Sequence, residues 1–170
     1  MKRKFLILFI TIFAGLLFGC AASATLGVQE LNDNFNGEFK FAAPMPKDTE
    51  ETGIYDDFTF PGGGFGCTDI ESKDQLTKYR FAGYPDTSDK YKMTSIDTED
   101  PKYEFFGFSV GDPAEIAAAV LKEHGYKLKE TLGLYSVYRL GRIRFLLNAE
   151  GDIDRIFVSL ESTNRRRVQY

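Results

Sequence analysis

The sequence predicts an α+β domain: antiparallel sheet, with one well-marked helix over about residues 113–124 and a three-stranded meander after it. Three observations point there. Short aromatic and β-branched runs recur between Gly, Pro and Asp breaks from residue 54 onward. One stretch, Asp112 to Gly125, has helical spacing with start and stop residues at its two ends. The three runs that follow are joined by links too short for a crossover, which makes neighbouring strands antiparallel.

In chain order, residues 54–60 are aromatic and roughly alternating, and Pro61-Gly62-Gly63-Gly64-Phe65-Gly66 ends them. Residues 78–81, 91–96 and 103–110 give three further strand candidates. In the helix, Asp112 is expected as N-cap, Pro113 as the first helical residue and Glu115 as the return arm of a capping box. Ile116, Ala117, Val120 and Leu121 fall on one face, while Ala118 and Ala119 keep the helix propensity high. His124 lies in the last turn, and Gly125 takes the left-handed position beyond it. Residues 134–140, 143–148 and 153–160 form the meander, with Ile156, Val158 and Leu160 alternating on one face. Residues 54–163 therefore read as a single α+β domain.

Ahead of the domain, Lys2, Arg3 and Lys4 precede an uncharged apolar run, FLILFITIFAGLLF. A basic start and an apolar core of this kind make a secretory signal. The charges hold the N-terminus in the cytoplasm, so the rest of the chain crosses the membrane. The run closes on Leu17-Phe18-Gly19-Cys20, which resembles the lipobox of bacterial lipoproteins. The resemblance implies a signal over residues 1–19, cleavage before Cys20 and acylation of its thiol with palmitate-type chains. It also implies a location: the extracytoplasmic face of the cell membrane, with the lipid anchor as the membrane contact. Two or three acyl chains hold a protein stably where one is marginal. Two other fates stay open for the segment. Ala22-Ser23-Ala24 fits ordinary small-x-small cleavage, and an uncleaved run of about 20 residues can span a bilayer.

Residues 20–53 show no sustained period and read as the lipidated Cys followed by a flexible linker, with Glu38 to Phe41 a brief candidate edge strand. Residues 164–170, with Arg165, Arg166 and Arg167, read as a basic tail. Setting aside Lys2, Arg3 and Lys4 leaves 18 basic against 25 acidic side chains, a formal charge of −7. That balance argues against nucleic acid as a partner and against a domain lying flat on anionic lipid. Two cysteines cannot make a disulfide scaffold, so the fold rests on its core.

Candidate chemistry is sparse. The 61–66 glycine run matches neither phosphate-loop pattern and reads as a turn. Cys67 and His124 are the sole thiol and imidazole of the mature chain, and they define a weak catalytic alternative. No helix start follows Cys67 to lower its pKa, and His124 complements a helix C-terminus. Asp97, Glu99 and Asp100, and Glu150, Asp152 and Asp154, do not match a calcium loop and read as solvated turns. No cofactor or metal is expected. Residues 105–160, with Val110-Gly111-Asp112, one amphipathic helix and consecutive strands, resemble the module of β-lactamase inhibitor proteins and of small outer-membrane-assembly lipoproteins. That resemblance implies architecture alone. The expectation is a non-enzymatic binding or interaction module for a protein or small ligand in the cell envelope. The alternative is a cell-envelope enzyme using the thiol or a carboxylate pair.

Overall fold

The computed structural model describes residues 27–45, 55–59, 66–72, 74–83 and 91–161, with side chains from 69 onward in the second strand and none in the first. The signal, Cys20, the 61–65 loop and the 164–170 tail lie outside the described residues. Helix α1 covers residues 27–33. Strands β1 (Tyr55–Thr59), β2 (Gly66–Ser72), β3 (Thr77–Gly83) and β4 (Lys92–Thr98) follow. Helix α2 (Ala114–Glu123) then leads to β5 (Lys127–Leu132), β6 (Tyr135–Leu140), β7 (Ile143–Asn148) and β8 (Ile156–Leu160).

The eight strands make one antiparallel sheet in the order β1-β2-β3-β4-β8-β7-β6-β5. Each half of the chain is thus a helix followed by a four-stranded meander, and the halves join where β4 pairs β8. The meander expected after the helix is present, extended by β5, whose KLKETL sequence is charged and wholly exposed. β2 was likewise invisible in GCTDIES. Both are strands because a neighbour supplies the ladder, not because they carry an apolar face of their own. Residues 103–110 are a correction: they form a tight turn rather than a strand. Phe105 and Phe108 exchange two backbone bonds of 2.8 and 3.0 Å around Phe106 and Gly107, both at positive φ. That is the φ signature of a type I′ turn, and a bulky Phe pays strain to adopt it.

Alternation decides the inner face. Tyr79 and Phe81, Met93 and Ile96, Ile156 and Val158, and Phe145 and Leu147 are buried there. Phe145 is the hub, with ring centroids of Phe105, Phe106, Phe108 and Tyr126 at 5.2 to 6.3 Å. Helix α2 joins the same core through Ala114, Ala117 and Leu121. This corrects the expected helix face. Ile116 is 50% exposed, and the buried set starts two residues earlier, at Ala114.

The ends of α2 differ in how far they were foreseeable. Its C-terminus makes a Schellman closure, with Tyr126 N donating to Leu121 O at 2.9 Å and Gly125 N to Lys122 O at 3.0 Å, Gly125 at φ +81°. At the N-terminus the expected capping box is absent. Asp112 Oδ2 instead accepts from Ser109 N (2.7 Å) and Oγ (3.2 Å), and Pro113 is the N-cap without a side-chain cap bond. The first free amide, Ala114 N, donates to Gly151 O of the β7–β8 turn at 2.8 Å.

The largest correction concerns the expected linker over 20–53. Residues 27–45 are a strap across the inner face, with Leu31, Phe35, Phe39 and Phe41 buried. Phe35 stacks on Phe105 at 4.7 Å, and Phe39 meets Tyr79 and Phe81 edge-on. Asn32 clamps the strap by donating from Nδ2 to Phe41 O (3.0 Å) and accepting from Phe41 N (2.8 Å). Lys40 Nζ donates to Asn32 O (3.1 Å) and to Phe35 O, closing the carbonyl end of α1. Residues 42–45 then pair along the start of β4, Ala42 N to Met93 O at 2.9 Å and Met45 N to Tyr91 O at 2.8 Å. A methyl on Gly37 would lie 2.0 Å from Phe35 Cζ, so this close approach requires Gly.

Candidate functional site

Antiparallel sheets with one covered face normally turn polar side chains to water. Here the outer face carries an apolar row set by register: Phe157 of β8 opposite Leu146 of β7, and Leu146 opposite Val137 of β6. Phe157 also stands opposite Asp97 of β4. With Tyr135 and Arg155, these residues line a shallow surface cavity of about 290 Å³. Phe157, Leu146 and Tyr135 give it an apolar floor and wall. Arg155 donates from Nε and Nη2 to the two oxygens of Asp97 across its rim. That bidentate pair raises the Arg155 pKa further, chiefly through the Asp97 hydrogen bonds, so the rim holds a fixed cation. Arg144 lies 5.5 Å over the Phe157 ring and closes one side. A concave apolar floor with a few oriented polar groups is the usual form of a recognition site.

The alternation of Ile156, Val158 and Leu160 on one face implies that Phe157 is on the other, and nothing in the sequence singles out Leu146. Their meeting with Asp97 was not legible, because β4 and β8 are about 60 residues apart in the chain. Asp97 was expected in a solvated turn and instead ends β4, paired to Arg155. Asp100 is 7% exposed; its Oδ1 accepts from Lys102 N at 3.0 Å and its Oδ2 pairs with Lys102 Nζ at 2.7 Å. A second cleft of about 380 Å³, at the start of α2, is lined by Glu115, Glu150 and Asp152. Among the described residues no three His, Cys, Asp or Glu side chains gather as metal ligands.

Cys67 and His124 are placed apart. Cys67 lies on β2, opposite Ala82, and its side chain is outside the described set. His124 is the C-cap of α2. Its Nδ1 is 2.7 Å from Glu30 Oε1 of α1, and its ring packs on Phe106 at 4.4 Å. The imidazole thus ties the two helices together, beside its expected place at the helix end. Below it the Tyr126 hydroxyl is buried and has no hydrogen-bond partner. Burial, and then the Glu30 charge, push its pKa far above the usual tyrosine value. Among the described residues no helix is long and apolar enough to cross a membrane. Neither a protein-family model, nor a curated protein, nor a solved structure matches this chain.

Proposed function

We propose that this chain is an exported lipoprotein, anchored through Cys20 on the outer face of the cell membrane. On this reading it is a non-enzymatic module that captures a protein partner on the outer face of its sheet. The observation that carries the binding role is the apolar row Phe157–Leu146 beside the oriented Asp97–Arg155 pair. At about 290 Å³ the cavity suits one or two apolar side chains of a partner better than a drug-sized ligand, whose pockets run from roughly 300 to 1,000 Å³. The residue signal for the anchor is Leu17-Phe18-Gly19-Cys20 at the end of the apolar run.

Two measurements test the halves separately. Cys20→Ala is expected to abolish labelling by radioactive palmitate in growing cells; continued labelling would remove the anchor. A photocrosslinking residue at Leu146 in the anchored protein is expected to give one discrete adduct, absent when the residue is placed at the exposed Ile116. Equal, diffuse adducts from both positions would remove the binding face.

A further inference from the structure

We propose that the β6–β7 end of the domain docks on the anionic phospholipid surface of the membrane that holds it, an inference that rests on the reading of Cys20 as the lipid anchor. The described chain begins at this end. Gly27 sits against the β6–β7 hairpin, where an added methyl would lie 3.5 Å from Ile143 Cδ1 and 3.7 Å from Leu140 Cδ2. Six residues separate Gly27 from Cys20, and the seven Cα steps between them reach at most about 25 Å. The tether therefore attaches at this end and limits how far it can stand from the lipid.

The same end collects cations. Register sets Lys127, Arg139 and Arg144 side by side across β5, β6 and β7. Arg142 lies in the connecting turn, and Lys122 ends α2 nearby. Among the described residues only Arg139 of these has a carboxylate partner, Glu161 at 2.7 Å. The Nε atoms of Arg139, Arg142 and Arg144 are buried without a hydrogen-bond partner, so contact with phosphate falls to the outer guanidinium nitrogens. Glu161 N donates to Arg142 O beside the same turn. Near this end Glu161 pairs with Arg139, Glu30 with His124, and Glu123 ends α2 beside Lys122, while Asp97, Glu99, Asp100, Glu150, Asp152 and Asp154 lie at the opposite end, at the close of β4 and in the β7–β8 turn.

The two poles are separated by the length of β7, six residues or about 20 Å. Screening acts over about 8 Å at physiological ionic strength. Lipid phosphates beside the β6–β7 turn therefore feel the arginines and little of the acidic pole, despite the overall charge of −7 on the chain after residue 19. Arginine offers forked donors matched to phosphate oxygens. Attraction at one pole and repulsion at the other fix an orientation that turns the β7–β8 end away from the lipid.

The chain has no Trp, so one introduced Trp is a clean reporter of depth. Lipidated full-length Glu123→Trp and Glu150→Trp would each be incorporated in phosphatidylcholine vesicles with about 30% brominated phosphatidylglycerol, an anionic surface. The expected result is about twofold or greater excess quenching for Glu123→Trp, lost in 1 M NaCl, where screening acts within ~3 Å. The excess should also vanish on brominated phosphatidylcholine alone, and in Arg142→Gln/Arg144→Gln with unchanged circular dichroism. Equal quenching at both ends, or an excess that persists on neutral lipid or in high salt, overturns the docking while leaving the anchor intact. A chain that floats with neither vesicle overturns the anchor and this inference together.

Discussion

Tyr126 shows how one side chain records two demands. It lies three residues beyond the end of α2, its ring packs against Phe145, 5.2 Å away, and its amide donates to Leu121 O to complete the helix closure. The hydroxyl it carries gains nothing there. Tyr126→Phe is therefore expected to stabilise the protein by about 1 kcal/mol at neutral pH, since an unpaired buried hydroxyl costs about 1–3 kcal/mol. The pH dependence has a definite sign. The unfolded tyrosine ionises near 10, while burial keeps the folded one protonated above that, so native stability falls as pH rises past about 10. Tyr138 shifts in the same direction and leaves a smaller slope in the variant. Urea midpoints measured at neutral pH and above pH ~10 check both statements; an unchanged alkaline slope in Tyr126→Phe would show that Tyr126 is not the group responsible.

At the scale of the element, α2 tests what hydrophobic spacing can say. Ile116 was grouped with Ala117, Val120 and Leu121 because apolar residues at i, i+1, i+4 and i+5 mark a broad stripe. The sheet accepts only a narrow contact, at Ala114, Ala117 and Leu121, where two alanines let the helix backbone lie close above Phe145 and Tyr138. A larger side chain at 117 has no room, so Ile116 turns outward. Ile116→Lys is expected to change stability by less than about 0.5 kcal/mol, while Leu121→Ala costs about 2–5 kcal/mol. Comparable losses in the two variants, read from denaturant unfolding, would place the helix in a different rotation. The capping misreading has a similar origin. Asp112 does satisfy an amide three residues away, but on its N-terminal side, because Ala114 N is already taken by Gly151 O.

At the scale of the whole molecule, the strap 27–45 joins two halves whose strands pair along β4 and β8. It begins against Leu140 and Ile143 of the second meander, ties to α2 through Glu30 and His124, and ends along β4. Phe35 lies at its centre, in contact with Phe41, Tyr103 and Phe105. Phe35→Ala is expected to cost about 3–5 kcal/mol and to lower the stability of both halves in a single transition. Hydrogen exchange of β3 and β7 amides checks this; a loss confined to one half would show that the strap does not couple them. A free linker at this position would give no loss at all. The polarity of the molecule belongs to this scale as well, since the basic and acidic poles each gather residues from several strands.

What the sequence by itself determined was local. It marked the α2 span and its Gly125 closure, where bonds join residues three to five apart, and it marked the strands whose own alternation shows a buried face, β3, β4, β6, β7 and β8. By the alternation of Ile156, Val158 and Leu160 it also left Phe157 on the opposite face. Tertiary structure decided the rest. Residues 27–45 bury four aromatic or aliphatic side chains without any period, because a strap that crosses a sheet follows the partner's shape rather than a repeat of its own. β2 and β5 take strand form from neighbours that complete their hydrogen bonds. The candidate cavity needs the β4–β8 pairing to bring Asp97 to Phe157 and Arg155. The separation of −7 into two poles needs the strand order, because composition adds charges and only the fold sets where they stand.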